Sequence, residues 1–261
     1  MHRLRPTCNL LGAVLASAVV SSSLGCATGS PADIEPFFES SKADGALPKL
    51  RRLDRERIAV DEPSDLVLAA GRLYTISDAH SKIYELDADG DVRTIIDIEG
   101  RDLEALAYDE RTGELLVADE SRAKIWRIGA DGERHSAIEL RSAADGNSGI
   151  EGLAFDAAGH LFVAKEKDPA RIYELDVDGV ELARTEIHFA DDLSALAWNP
   201  TDGHLYALSD RERALYRLDR DLEPEAAWRL PVEHPEGIAF DGATLYVVSD
   251  SEERLYTFTL D

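Results

Sequence analysis

Glu151-Gly-Leu-Ala-Phe155 and, after a turn rich in Asp and Gly, Leu161-Phe-Val-Ala164 form a unit that recurs along the chain. The first half returns as Glu104-Ala-Leu-Ala-Tyr108, Ser194-Ala-Leu-Ala-Trp198 and Glu236-Gly-Ile-Ala-Phe240, with a weaker copy starting at Ser64. The second half returns as Leu73-Tyr-Thr-Ile, Leu115-Leu-Val-Ala, Leu205-Tyr-Ala-Leu and Leu245-Tyr-Val-Val. A short acidic loop then leads to an aromatic residue, Tyr84, Trp126, Tyr173, Tyr216 or Tyr256, and these lie 42, 47, 43 and 40 residues apart. A period in the forties with three or four short β-rich runs per unit marks propeller blades. Strict alternation in the first run puts small side chains on one face and bulky ones on the other, so that each blade fills its neighbour.

Outer runs at Val92–Ile98, Glu133–Leu140, Leu182–Phe189 and Ala226–Leu230 complete four blades. The fifth reaches only its third strand before the chain ends, and a spare run around Arg55 to Val60 stands ready to complete it. The expected fold is therefore an all-β, five-bladed β-propeller of four-stranded blades over residues 50–261, closed by an N-terminal strand.

The chain has 261 residues and carries 28 Lys plus Arg against 52 Asp plus Glu, a net charge of −24. This excludes a generic nucleic-acid binder, which needs clustered bases to displace phosphate counterions, and favours cations, basic partners or neutral ligands. Residues 1–26 follow the plan of an export signal: His2, Arg3 and Arg5, an apolar run from Leu10 to Val20, then small residues up to Cys26. Leu24-Gly25-Cys26 resembles the end of a bacterial lipobox, with Ser23 where an aliphatic residue is usual. Cys8 lies within the signal, so lipidation of Cys26 leaves no free thiol after export. The alternatives are plain cleavage near Ala27 and a retained N-terminal single-pass anchor. Residues 27–49 read as a flexible tether.

Gly146-Asn-Ser-Gly-Ile-Glu-Gly-Leu-Ala-Phe155, continuing through Leu161-Phe-Val-Ala-Lys-Glu-Lys-Asp-Pro-Ala-Arg-Ile-Tyr-Glu174, resembles the SdiA-regulated, YjiK-like family of bacterial envelope propellers. Asp102-Leu-Glu-Ala-Leu106, Asp192-Leu-Ser-Ala-Leu196 and Glu236-Gly-Ile-Ala239 carry the same resemblance. It implies a membrane-attached β-propeller facing the periplasm or cell exterior, in a grouping that also holds phytase-like and esterase-like propellers.

In a blade the start of strand one and the end of strand two share a face. Ser64, Glu104, Glu151, Ser194 and Glu236 begin the inner strands, and Asp78, Glu120, Glu166, Asp210 and Asp250 end the second strands. Each outer acid precedes a base (Lys82, Lys124 or Arg122, Arg171, Arg213, Arg254), so the outer ring reads as structural ion pairs of about 0–1 kcal/mol each. The inner glutamates have no such base. Two carboxylates ~6 Å apart at an effective dielectric of ~20 repel by roughly 3 kcal/mol, so either a cation sits among them or one keeps its proton. An oxygen-only ligand set suits calcium or magnesium and argues against zinc, which makes Ca2+ the expected cofactor and Glu104, Glu151 and Glu236 its ligands. Sugar-lactonase-type propellers, similar at this motif position, place a divalent metal at the equivalent strand starts. A wide channel with solvated glutamates is the competing reading. His80, in an acidic-face loop, is a weak acid–base candidate. Three functional readings stay open: a calcium-binding envelope propeller, a metal-dependent phosphoester or ester hydrolase, and a protein-docking scaffold.

Overall fold

Alternating small and bulky apolar residues, punctuated by Asp-Gly turns, fold here as twenty strands. The computed structural model describes residues 47–87, 89–129, 131–140 and 149–260. The expected export signal, Cys26 and most of the tether lie outside the described residues, as does 141–148.

The first strand is β1 (Arg51–Arg57). Blade one holds β2 (Pro63–Ala69), β3 (Arg72–Ser77), β4 (Lys82–Leu86) and β5 (Val92–Asp97). Blade two holds β6 (Leu103–Asp109), β7 (Glu114–Asp119), β8 (Lys124–Ile128) and β9 (Arg134–Glu139). Blade three holds β10 (Ile150–Phe155), β11 (Leu161–Lys165), β12 (Arg171–Leu175) and β13 (Glu181–Glu186). Blade four holds β14 (Ala195–Asn199), β15 (His204–Ser209), β16 (Ala214–Leu218) and β17 (Pro224–Arg229). Blade five holds β18 (Pro235–Asp241), β19 (Thr244–Ser249) and β20 (Arg254–Thr259). Every blade is an antiparallel meander, and the inner strands β2, β6, β10, β14 and β18 neighbour one another around a ring.

The core lies between blades. Leu106 packs back against blade one while Ala105 and Ala107 face blade three. Leu196 packs back against blade three while Ala195 and Ala197 face blade five. Ile238 and Ala239 divide in the same way. Bulky side chains on one blade thus fill space left by small ones on the previous blade, which is how close packing is reached with a repeated sequence.

The strand β1 lies antiparallel to β20, from Arg51 opposite Thr259 to Arg57 opposite Arg254, with a bulge at Leu53. It starts and ends earlier than the Arg55 to Val60 run expected from sequence. All seven of its side chains are exposed, so it contributes backbone pairing; Ile58 and Val60 just after it are buried in the core between blades five and one. Contacts with the fold also start before residue 50. Leu47 packs against the core between blades three and four, the Arg229 amide donates to the Pro48 carbonyl at 2.9 Å, and Lys49 bridges Arg229. Among the described residues no helix is long and apolar enough to cross a membrane.

Candidate functional site: an acidic channel mouth

A single irregularity recurs at the start of the inner strands. The pairing register slips between Pro63 and Asp65, Leu103 and Ala105, Ile150 and Gly152, and Pro235 and Gly237. The extra residue in each case is Ser64, Glu104, Glu151 or Glu236. A bulge turns its side chain out of the pleat's alternation, and here it turns four residues toward one opening of the channel. In blade four Ser194 stands just before β14, its hydroxyl donating to the Pro235 carbonyl at 3.1 Å. In blades three and five the next residue is glycine, because there the adjacent inner strands nearly touch. A Cβ on Gly237 would stand 2.5 Å from the Leu66 amide nitrogen, and one on Gly152 would stand 2.7 Å from that of Leu196.

The second ring is tied to the first by backbone. The amides of Asp78, Glu120, Glu166 and Asp250 donate to the carbonyls of Glu62, Asp102, Gly149 and His234, at 3.1, 2.9, 3.1 and 3.2 Å. Each acceptor lies two residues before an inner-ring position. Glu62, Asp102 and His234 hold φ of 46°, 50° and 42°, the left-handed region that non-glycine residues seldom occupy. Blade four departs: there Asp192 is buried and accepts from the Ser209 hydroxyl and, at 3.3 Å, from the Arg211 amide.

Together these residues line a cavity of about 400 Å³. Its walls carry nine carboxylates (Glu62, Asp78, Glu104, Glu151, Glu166, Asp192, Asp210, Glu236 and Asp250), the hydroxyls of Ser64 and Ser194, and no basic residue. All five inner-ring positions expected from sequence are therefore brought together, with four of the five outer acids. Glu120 stands behind the wall, its carboxylate accepting from the Gly149 amide. His80 is elsewhere, its Nε2 3.1 Å from Asp61 Oδ2.

Burial drives the inner glutamates toward their neutral forms, and neighbouring carboxylates add to it. Glu104 is pushed up to about 8, with Asp78 and Glu120 as its main like-charged neighbours. Glu236 rises to about 9, beside Asp210 and Asp250. Glu151 rises to about 10, beside Glu104 and Glu120. Asp78, Glu120 and Asp250 are raised by burial first and by acidic neighbours second. Asp78 and Glu104 are close enough for their charges to repel, which raises Glu104.

The acid-to-base pairing expected across each outer loop does not form. Lys82 pairs with Asp97 at 3.5 Å, Lys124 with Glu139 at 3.0 Å and Arg171 with Glu186 at 3.7 Å, each directly across the third and fourth strands of its blade. Arg122 pairs with Asp119 and Arg213 with Glu233. Among the described residues no ion pair joins Arg254 to Asp250. Outer acids find different company: Glu166 pairs with its neighbour Lys167, and His234 Nδ1 lies 3.4 Å from Asp210 Oδ2. Four of the five outer acids, Asp78, Glu166, Asp210 and Asp250, thus belong to the acidic cavity.

Two residues escaped the repeat comparison. Asp65 stands where the other blades have Ala105, Gly152, Ala195 and Gly237, and is fully buried. Its carboxylate accepts from the amides of Leu66 and Leu106, both at 2.7 Å, so it ties blade one to the inner strand of blade two. Burial holds its carboxyl well above the usual range. His234 belongs to the one group among the described residues in which three such ligand atoms are mutually close: those of Asp210, His234 and Glu236 all lie within 4.8 Å of one another.

Five four-stranded blades around an acid-lined channel mouth define a five-bladed β-propeller with an anionic axial site. A sequence model described as SdiA-regulated matches residues 67–259. The chain belongs to the SdiA-regulated family, in agreement with the resemblance carried by its Gly146–Glu174 run. Among solved structures, glutaminyl cyclase from Myxococcus xanthus is 13% identical over 81% of this chain and 97% of its own, with a TM-score of 0.64. The PQQ-bound aldose sugar dehydrogenase from Streptomyces coelicolor is 14% identical over 83% and 100%, with a TM-score of 0.52. Virginiamycin B lyase from Staphylococcus aureus is 18% identical over 76% of this chain, with a TM-score of 0.49, and the chain spans only 66% of the lyase. At these identities the likeness is one of fold.

Proposed function

We propose that this protein is a lipid-tethered envelope propeller that binds a divalent cation, calcium, at its acidic channel mouth, in a binding or envelope-homeostasis role. The observation carrying this reading is the cavity of about 400 Å³ lined by nine carboxylates, of which the inner-ring Glu104, Glu151 and Glu236 have no Lys or Arg ion-pair partner among the described residues. Its oxygen-only inner ring, Glu104, Glu151 and Glu236 with Ser64 and Ser194, suits a hard cation that accepts six to eight oxygens in flexible geometry. Calorimetric titration of the domain with calcium tests it. Absence of any binding heat or thermal shift at millimolar calcium would rule it out.

A hydrolase is the competing reading, since a bound cation would polarise a phosphoryl or ester oxygen and activate water. One observation counts against a polyphosphate substrate for that reading. Lys165 and Lys167, the two bases positioned to hold a polyphosphate, are engaged elsewhere: Lys165 is buried and donates to the Lys167 carbonyl, and Lys167 pairs with Glu166. Neutral esters and lactones therefore suit the mouth better than phytate. Screening phosphoesters and lactones with and without calcium separates catalysis from binding, and a protein-docking scaffold predicts no turnover at all.

The tether rests on Cys26. Cys26→Ser is expected to move the protein from the membrane fraction to the soluble fraction. Recovery of the mutant in membranes at the wild-type level would favour a retained N-terminal helix instead.

A further inference from the structure

We infer that the mouth holds a second, off-axis cation site, formed by Asp210, His234 and Glu236, that takes a first-row transition cation of borderline softness, with zinc as its probe. Three blade elements bring the set together. Asp210 ends the second strand of blade four, Glu236 is the bulged residue of β18, and His234 lies two residues before it.

Donor chemistry separates this site from the axial one. Calcium and magnesium take oxygen ligands, whereas an imidazole nitrogen beside two carboxylates suits zinc and its first-row neighbours. Spacing agrees. Two ligands bound to zinc at about 2.1 Å and a tetrahedral angle stand about 3.4 Å apart. His234 Nδ1 and Asp210 Oδ2 are 3.4 Å apart, and all three ligand atoms lie within 4.8 Å. Closing on a tetrahedral cation therefore requires only that the more widely spaced of these atoms draw together. Three protein ligands leave a fourth position, and it opens on the cavity because Asp210 and Glu236 both line its wall. Water or a cavity ligand would fill it, the arrangement of an open zinc site.

Other blades lack the set. At the position of His234 they carry Glu62, Asp102, Gly149 and Asp192. The remaining histidines with acidic neighbours are spread over the blades. His135 pairs with Glu114, His160 with Glu174 and Asp156, and His204 with Glu225 and Asp202; none of these groups brings three ligand atoms so close together among the described residues. The off-axis site shares Glu236 with the axial reading and is otherwise independent of it.

The test is zinc binding by the full chain, measured by competition with a chromophoric chelator, with the calcium-induced melting shift recorded in parallel. His234→Asn keeps a residue that tolerates the left-handed backbone at φ 42°. It is expected to weaken zinc by at least roughly 100-fold, the upper end of what loss of a group behind a ligand costs, while leaving the calcium shift intact. Asp210→Asn should weaken zinc as well, and His80→Asn should not. Cobalt in place of zinc should give a visible absorption band in the wild type that His234→Asn abolishes. Zinc affinity unchanged in His234→Asn, or lost equally in His80→Asn, would overturn the off-axis site. Zinc bound through His234 with no calcium response would sustain it and refute the axial calcium reading. Calcium binding with no zinc binding would do the reverse.

Discussion

Deleting residues 50–60 is expected to abolish the cooperative melting transition of the whole domain, whereas deleting residues 27–45 should leave the melting temperature unchanged. The first deletion removes β1 and exposes β20 along the full register from Arg254 to Thr259. It also strips Ile58 and Val60 from the core between blades five and one. Two aliphatic side chains of this size stabilise by about 1.5–3 kcal/mol each. Together with the lost strand pairing that rivals the 5–15 kcal/mol by which domains are usually stable. Calorimetric scans of the two truncations decide the matter, and equal transition temperatures would show that the ring does not depend on this strand.

A Glu151→Gln, Glu236→Gln double variant is expected to lose the calcium response while matching or exceeding the wild type's stability in chelator. Amides keep the shape and remove both the charge and the repulsion. A cation that binds only the folded state stabilises by RT ln(1 + [L]/Kd), about 2.7 kcal/mol at a hundredfold excess over Kd, and this increment should vanish. Asp78→Asn is the informative comparison. An outer acid held by ion pairing would leave the calcium shift untouched, but Asp78 lines the cavity beside Glu104, so we expect a reduced shift.

Proton linkage gives the same site a second signature. With folded values of about 8, 10 and 9 against an ordinary 4.5, Glu104, Glu151 and Glu236 keep protons in the native state that the unfolded chain has released. Their contribution is full below pH 4.5 and is lost as pH rises through the folded values. In chelator, stability should therefore fall between pH 5 and 8, by about 1.4 kcal/mol per pH unit for each carboxyl that stays protonated only when folded. Calcium favours the ionised form, so its stabilising effect should grow over the same interval. Melting scans across this range with and without calcium read both slopes, and a flat chelator profile would mean the glutamates are solvated and ionised.

Blade number and inner ring were legible because both are repeated in sequence. The small-large alternation at Glu104-Ala-Leu-Ala-Tyr108 recurs at a nearly constant period, and one periodicity settles fold and face together. Ion pairing was not legible from proximity along the chain. Lys82, Lys124 and Arg171 look forward across the outer strands, to Asp97, Glu139 and Glu186, each fifteen residues on. That constant offset was available in the sequence, but it becomes meaningful only once the register between third and fourth strands is known. Asp65 and His234 were hidden for a different reason. Each breaks the repeat at its own position, and a comparison built on what blades share passes over what one blade has alone.

Blade five joins the first strand of the described chain to the last three. During synthesis β1 emerges some two hundred residues ahead of β20, its eventual partner, and must wait with its backbone unpaired until the final residues appear. Blades one to four meet no such delay. Closure of the ring therefore follows the making of the other four blades, because its two partner strands coexist only once β20 has been synthesised. The seven exposed side chains of β1, four of them arginines, would keep the waiting strand soluble in the interval.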